Sequence, residues 1–249
     1  MNSPLSQYHK ISYPKWEKPK LNMDLTKILF LDIETVPMSS TFDELSSDWQ
    51  MLWDKKAKYL IKDNQTPSDV YQRAGIYAEF GKIICISVGG INKNNEIRIH
   101  SYYGDDESKL LKDFAQLLNK HYKTDEHLLA AHNGKEFDYP YIARRMLVNK
   151  IALPNLLNIA GKKPWEIKHL DTLELWKFGD YKHYTSLELL AKLFDIPTPK
   201  GDINGSDVSR VYYKENNLDR IVKYCEKDVI TLIKLYLCQL NIDLSNYFF

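Results

Sequence analysis

The segment that most restricts what this chain can fold into is KILFLDIETVP, residues 27–37. An apolar run from Ile28 to Leu31 leads into Asp32 and Glu34, and Pro37 ends it before a helix could form, so the segment reads as a buried strand. Carboxylates two residues apart on a strand leave the pleat on the same face. Like charges placed side by side destabilise a fold unless a cation sits between them. The same pair also fits a strand that simply ends in solvent, where exposed acids are the norm.

The pattern around this strand is α/β. Residues 1 to about 24 carry Pro4, Pro14, Pro19 and lysines without periodicity, and read as an N-terminal arm. Residues 41–74, with Trp49, Met51 and Trp53 among charges and a break at Pro67, are predicted to be a helical insertion. KIICISVGG and EIRIHSYY are strand-like runs joined by a polar Asn-rich bridge, which predicts a hairpin. ESKLLKDFAQLLNKHY has helical spacing, EHLLAAHN reads as a second buried strand, and DYPYIARRMLVN as a helix with Pro140 in its first turn. From Ile151 onward the pattern is mostly helical and ends in the long amphipathic LDRIVKYCEKDVITLIKLYLCQL. Sheet and helices in this order must cover each other, so the expectation is one domain over residues 25–249, a mixed sheet flanked by helices with a helical C-terminal part.

Composition narrows the function classes. Against 33 acidic residues stand 34 basic ones, which excludes the basic footprint of a sequence-reading DNA-binding module but not a nucleic acid as substrate. Cys85, Cys225 and Cys238 lack CxxC spacing and leave an odd thiol, so no disulfide framework or zinc ribbon is indicated. The start of the chain has no basic region followed by an apolar one, and no long uncharged apolar run occurs anywhere. A soluble cytoplasmic protein is expected.

Two further acids complete a candidate set. Asp138 follows a predicted strand and opens a helix, where an ordinary capping aspartate would also sit. Tyr224 and Asp228 lie four apart in the last helix and share one face with Leu232; an acid on an apolar stripe wants a partner, unless it lies at the stripe's solvated edge. Carboxylates gathered from a strand end, a helix start and a late helix are what hard divalent cations need, so Mg²⁺ or Mn²⁺ fits, while zinc would want His or Cys nearby.

These residues resemble the DEDDy branch of the DnaQ-like, RNase H-like 3'-5' exonucleases. FLDIET resembles the first motif, NGKEFD the second as used by proofreading domains of family-B DNA polymerases, and YCEKD the third. FGKIICISVGG, GKKPWEIKHLDTLELWKFGDY and SLELLA are similar to stand-alone exonucleases related to that polymerase domain, and the likeness runs from about Ile28 to about Tyr236. The insertion around Trp49 and Trp53 matches none of the motifs, and with few residues after Tyr236 no polymerase domain is expected to follow.

The resemblance implies a two-metal hydrolysis of terminal phosphodiesters at single-stranded 3' ends, with two Mg²⁺ or Mn²⁺ ions ~4 Å apart. Asp32 would bridge both ions, Glu34 and Asp228 complete the first site, Asp138 support the second, and Tyr224 orient the water. Phe137 would stack on the terminal base, Asn133 bond sugar or phosphate, and Thr35 meet the terminal nucleotide through its backbone. Each of these three also fits a plainer role, in the core, in a turn and at a strand end. His132 reads as a polar strand-end residue, and Arg144 and Arg145 as a solvated helix face. DNA ends are the leading substrate; the alternatives are short RNA, a catalytically silent nucleic-acid-binding module, and a nucleotide phosphohydrolase.

Overall fold

The computed structural model describes residues 24–180, 182–197 and 202–248. The predicted N-terminal arm therefore lies outside the described residues except for Asp24.

Strand β1 (Ile28–Pro37) is the centre of a sheet ordered β3-β2-β1-β4-β5. It pairs antiparallel with β2 (Gly81–Ile91), which pairs antiparallel with β3 (Ile97–Tyr103), and parallel with β4 (Leu128–Ala131) on its other side. The helices in chain order are α1 (Ser47–Ala57), α2 (Glu107–His121), α3 (Asp138–Val148), α4 (Thr172–Lys177), α5 (Leu187–Leu193), α6 (Val208–Tyr213) and α7 (Leu218–Gln239). The mixed sheet opened by a hairpin is the RNase H-like arrangement expected. One strand departs from the expectation: β5 (Leu170–Asp171) lies in the stretch read as helical and pairs parallel with β4. Two residues are too few to show a period, so no sequence pattern could reveal it.

Alternation along β1 decides which element each side chain meets. Leu29, Leu31 and Ile33 face α2 and α3, packing with Phe114, Leu118 and Ile142. Ile28 and Phe30 face α7, packing with Val229, Leu232, Ile233 and Tyr236. Asp32 and Glu34 continue this second row, so the period of two aims both acids at α7. The helix lies close to the sheet because β2 offers Gly89 beneath it. A Cβ there would stand 2.8 Å from both Val229 and Ile233, an overlap that typically costs ~1–3 kcal/mol to relieve.

A bulge interrupts the β1–β2 ladder beside the acids: Glu34 pairs with Cys85 but Thr35 with Ile83, passing over Ile84. Glu107 accepts the Ile83 N–H at 2.8 Å, and is itself gripped by Arg145 through two bonds of 2.9 and 2.6 Å and by Asn149 at 2.9 Å. Bulges re-aim side chains next to functional sites, and this ion pair holds one in place. The expectation for Arg145 is corrected here. Arg144 is exposed as predicted, but Arg145 turns inward to Glu107 and to the carbonyl of Ala78.

The insertion is helical only in part. It contains a 3₁₀ turn at Phe42–Glu44, then α1, then a 3₁₀ segment at Tyr71–Ile76, with turns through the polar DNQTPSD stretch, where Pro67 breaks any helix. It has its own apolar cluster around the fully buried Trp53. The indole stacks edge-on against Tyr71 and Phe80 and donates to the Pro67 carbonyl at 2.8 Å.

Candidate active site

Three elements bring the predicted acids together. β1 supplies Asp32 and Glu34, and α7 crosses over them with Tyr224, Cys225 and Asp228 in one turn. Asp138 arrives from β4 through a tight turn in which Asn133, at φ 63°, uses its carbonyl to accept from the N–H groups of Glu136 and Phe137. The capping alternative for Asp138 is not realised: the capping position of α3 is Phe137, and Asp138 is its first helical residue and buried.

Burial makes this cluster electrostatically costly. Desolvation first, then the charges of Asp138 and Asp228, hold the Asp32 carboxyl well above the usual range. Glu34 is raised in the same way by burial and then by Asp32 and Asp228. Burial pushes Asp138 up to about 7, against the pull of backbone N–H groups that favour its ionised form, and pushes Asp228 up to about 6 against the hydrogen bond from Tyr224. Among the described residues none of the four acids takes part in an ion pair. Acids in this position stay protonated or accept a cation, and oxygen donors of this type suit a hard divalent ion. Asp32, Glu34 and Cys225 are the tightest group, each offering one ligand atom within 4.8 Å of the others.

Cys225 changes the expectation that no cysteine lies at hand. Its thiol is fully buried and raised well above its ordinary pKa by burial, so it enters the site as an S–H donor rather than a thiolate ligand. His132 is also adjacent, yet both ring nitrogens are engaged. Nε2 lies 2.8 Å from the Thr185 carbonyl, which can only accept, and burial keeps the ring neutral, so Nδ1 accepts from the Thr172 hydroxyl at 2.8 Å. No lone pair is left for a metal. The predicted polar, non-ligating role of His132 fits this geometry.

The acids lie where two lobes of a cleft meet. One lobe, ≈ 640 Å³, is lined by Thr35, Asn133, Phe137, Arg73 and Ser209; the other, ≈ 680 Å³, by Tyr184, Ser186, Asn204 and Lys227. Thr35, Asn133 and Phe137 thus share the first lobe. Phe137 is half-buried, tilted on Tyr141 at 5.4 Å between ring centres, with part of its ring against the core. Asn133 serves its turn and borders the cleft as well.

Several residues of the site were given no role by the sequence, although Asp171 falls in one of the blocks that carry the resemblance. Asp171, at the end of β5, is buried and accepts from the N–H groups of Asn133, Lys135, Leu173 and Glu174, pinning the turn that carries Asp138 while capping α4. Tyr184 reaches both lobes and meets His132 edge-on. Arg73 comes from the insertion.

Fold and site together define an RNase H-like α/β protein with an acidic cleft at the end of its central strand. The chain belongs to the family described as predicted 3'-5' exonuclease related to the exonuclease domain of PolB, whose model matches residues 76–245. That match contains Asn133–Asp138 and Tyr224–Asp228; Asp32, Glu34 and nearly all of the insertion lie before it. Among solved structures the chain is similar to the family B DNA polymerase from the hyperthermophilic archaeon Pyrobaculum calidifontis, at 13% identity and a TM-score of 0.48, over 85% of this chain and 24% of that one. Among the described residues no helix is long and apolar enough to cross a membrane.

Proposed function

We propose that the chain is a divalent-cation-dependent 3'-5' exonuclease that removes nucleoside 5'-monophosphates from single-stranded DNA ends. The observation that carries this reading is the convergence of Asp32, Glu34, Asp138 and Asp228, without ion-pair partners among the described residues, on one cleft that also holds Tyr224, in a member of this family. Asp32 is the candidate ligand shared by two ions, with Glu34 and Asp228 on one and Asp138 on the other. Bound Mg²⁺ or Mn²⁺ supplies an acidified water and neutralises charge on the phosphoryl oxygens.

The chain's own residues do the rest. The Tyr224 phenol is pushed far up by burial and by Asp228, Glu34 and Asp32, so it stays protonated and acts as a positioning group, not a base. It lies one turn before Asp228 on the same helix face, the place from which its hydroxyl would orient the attacking water. Phe137 presents its ring to a terminal base, a contact worth ~1–3 kcal/mol that tolerates any base. Asn133 and the backbone at Thr35 border the sugar.

A 5'-labelled oligodeoxynucleotide, and its ribose counterpart, incubated with Mg²⁺, Mn²⁺, Ca²⁺ or chelator tests this. A ladder of shortened DNA with free 5'-monophosphates in Mg²⁺ or Mn²⁺, little turnover in Ca²⁺ and none in chelator is expected, and a 3'-phosphorylated end should resist. Chelator-insensitive cleavage, or turnover only of free nucleotides, would sink the proposal.

A further inference from the structure

The insertion forms one wall of the cleft. Its 3₁₀ segment Tyr71–Ile76 contributes Gln72, Arg73 and Ile76 to the lobe that holds Thr35 and Phe137. This wall is fastened on three sides. Gly75 packs so tightly on the end of β1 that a Cβ would stand 3.2 Å from Val36 and Pro37, and the buried Tyr141 hydroxyl donates to the Gly75 carbonyl at 2.8 Å. Gln72 donates to the Ser40 carbonyl at 3.0 Å. On the opposite bank Ser209 of α6 donates to the Gln72 side-chain oxygen at 2.7 Å.

That last bond joins the two banks, because Ser206 and Ser209 line the lobe from one side and Gln72 and Arg73 from the other. The bond ties the insertion to α6 at the border of this lobe. The other lobe continues along α7 past Lys227 to a neighbouring hollow bordered by Lys223, one turn earlier, where Arg220 of α7 donates to Asp202 at 2.7 Å. Lysines at this spacing lie on one helix face and suit successive phosphates. Arg73 is exposed, makes no ion pair among the described residues, and is the one arginine or lysine lining the lobe that holds Thr35 and Phe137. A guanidinium only donates, so it seeks acceptors: the base carbonyls and sugar oxygens of a nucleotide.

We propose that the insertion is an end-stop. The Gln72–Ser209 clasp closes the cleft beyond the last nucleotide, Arg73 binds that nucleotide, and the rest of the strand leaves over Lys227 and Lys223. The site then accepts a chain end and rejects a continuous strand. This rests on the exonuclease reading but concerns a segment that falls almost wholly outside the family match.

Binding without turnover tests it. The whole protein in Ca²⁺ is titrated against fluorescent linear and circular single-stranded DNA of one sequence, with anisotropy as the readout. The wild type should hold the linear strand at least about tenfold more tightly than the circle, the scale of one charge-assisted contact. Arg73→Ala should erase most of that preference by weakening linear binding, whereas Arg98→Ala, on edge strand β3, should leave it intact. Releasing the clasp with Gln72→Ala, at an exposed position, and Ser209→Ala, at a half-buried one, should raise affinity for the circle. Equal wild-type binding to line and circle, an unchanged Arg73→Ala, or a clasp variant that still rejects the circle would each overturn the end-stop. Failure of the exonuclease reading would look different: a persisting preference for ends with no mononucleotide release by the wild type in Mg²⁺.

Discussion

The thiol of Cys225 lies 3.3 Å from Oδ2 of Asp32 and 3.4 Å from the backbone oxygen of the same residue. A buried S–H that can donate to a candidate ligand fixes where that carboxylate points, much as outer partners orient metal ligands elsewhere. Cys225→Ala should therefore raise the Mg²⁺ concentration needed for half-maximal cleavage by roughly 10-fold or more, and Cys225→Ser, which keeps a donor, should recover most of the loss. If the alanine variant titrates with Mg²⁺ like the wild type, the thiol is mere packing.

Tyr224 and Asp228 are one helical turn apart on one face of α7, which predicts a split in kinetic constants. Tyr224→Phe keeps the ring and deletes the hydroxyl, so kcat should fall by roughly 10- to 1,000-fold with KM little changed. Weaker binding at unchanged kcat would instead make Tyr224 a substrate-stacking residue.

The raised carboxyls predict an unusual pH dependence of stability without metal. Asp138 at about 7 and Asp228 at about 6 keep protons that an unfolded carboxyl, near ~3.9, has released. Between these values the native state binds more protons, so stability falls as pH rises through this window. His132 and His169, lowered by burial, work in the other direction: below ~6.5 the unfolded chain gains protons that the buried rings refuse, and stability falls as pH drops. Asp32→Asn separates the two arms. It should abolish cleavage, melt at or above the wild-type temperature in metal-free buffer at pH 8, and leave the histidine arm untouched. Mg²⁺ should raise the wild-type Tm more at pH 8 than at pH 5, where protons compete for the acids. A variant that melts well below the wild type at pH 8 would contradict the repulsion between Asp32 and Glu34.

Asp171 ties four backbone N–H groups with one carboxylate. Asp171→Ala should lower stability by at least about 2 kcal/mol in urea unfolding, since buried donors lose their only charged partner. It should also lower kcat, because the turn from Asn133 to Phe137 is released and Asp138 with it. A destabilised variant with normal kcat at low temperature would show that α3 places Asp138 unaided.

Much of this was legible in the linear chain because it depends on short-range periodicity. Two acids on one strand face, a tyrosine and an aspartate one turn apart, and an aspartate at a helix start need only the repeats of strand and helix, so their placement and the hairpin, α2, α3 and α7 could be read directly, while the resemblance to the exonuclease motifs singled these acids out as candidate ligands. What the tertiary structure decided are contacts that join distant segments. The donation from Cys225 to Asp32, the grip of Asp171 on the Asn133 turn and the inward turn of Arg145 onto Glu107 each span tens of residues or more. The Gln72–Ser209 clasp crosses 137 residues and joins two surface hydroxyl and amide groups of no distinctive pattern. Propensity and spacing are local, whereas burial and the partner a polar group finds depend on which elements the core packs together; that is why the acids could be named from the chain and the wall that closes around them could not.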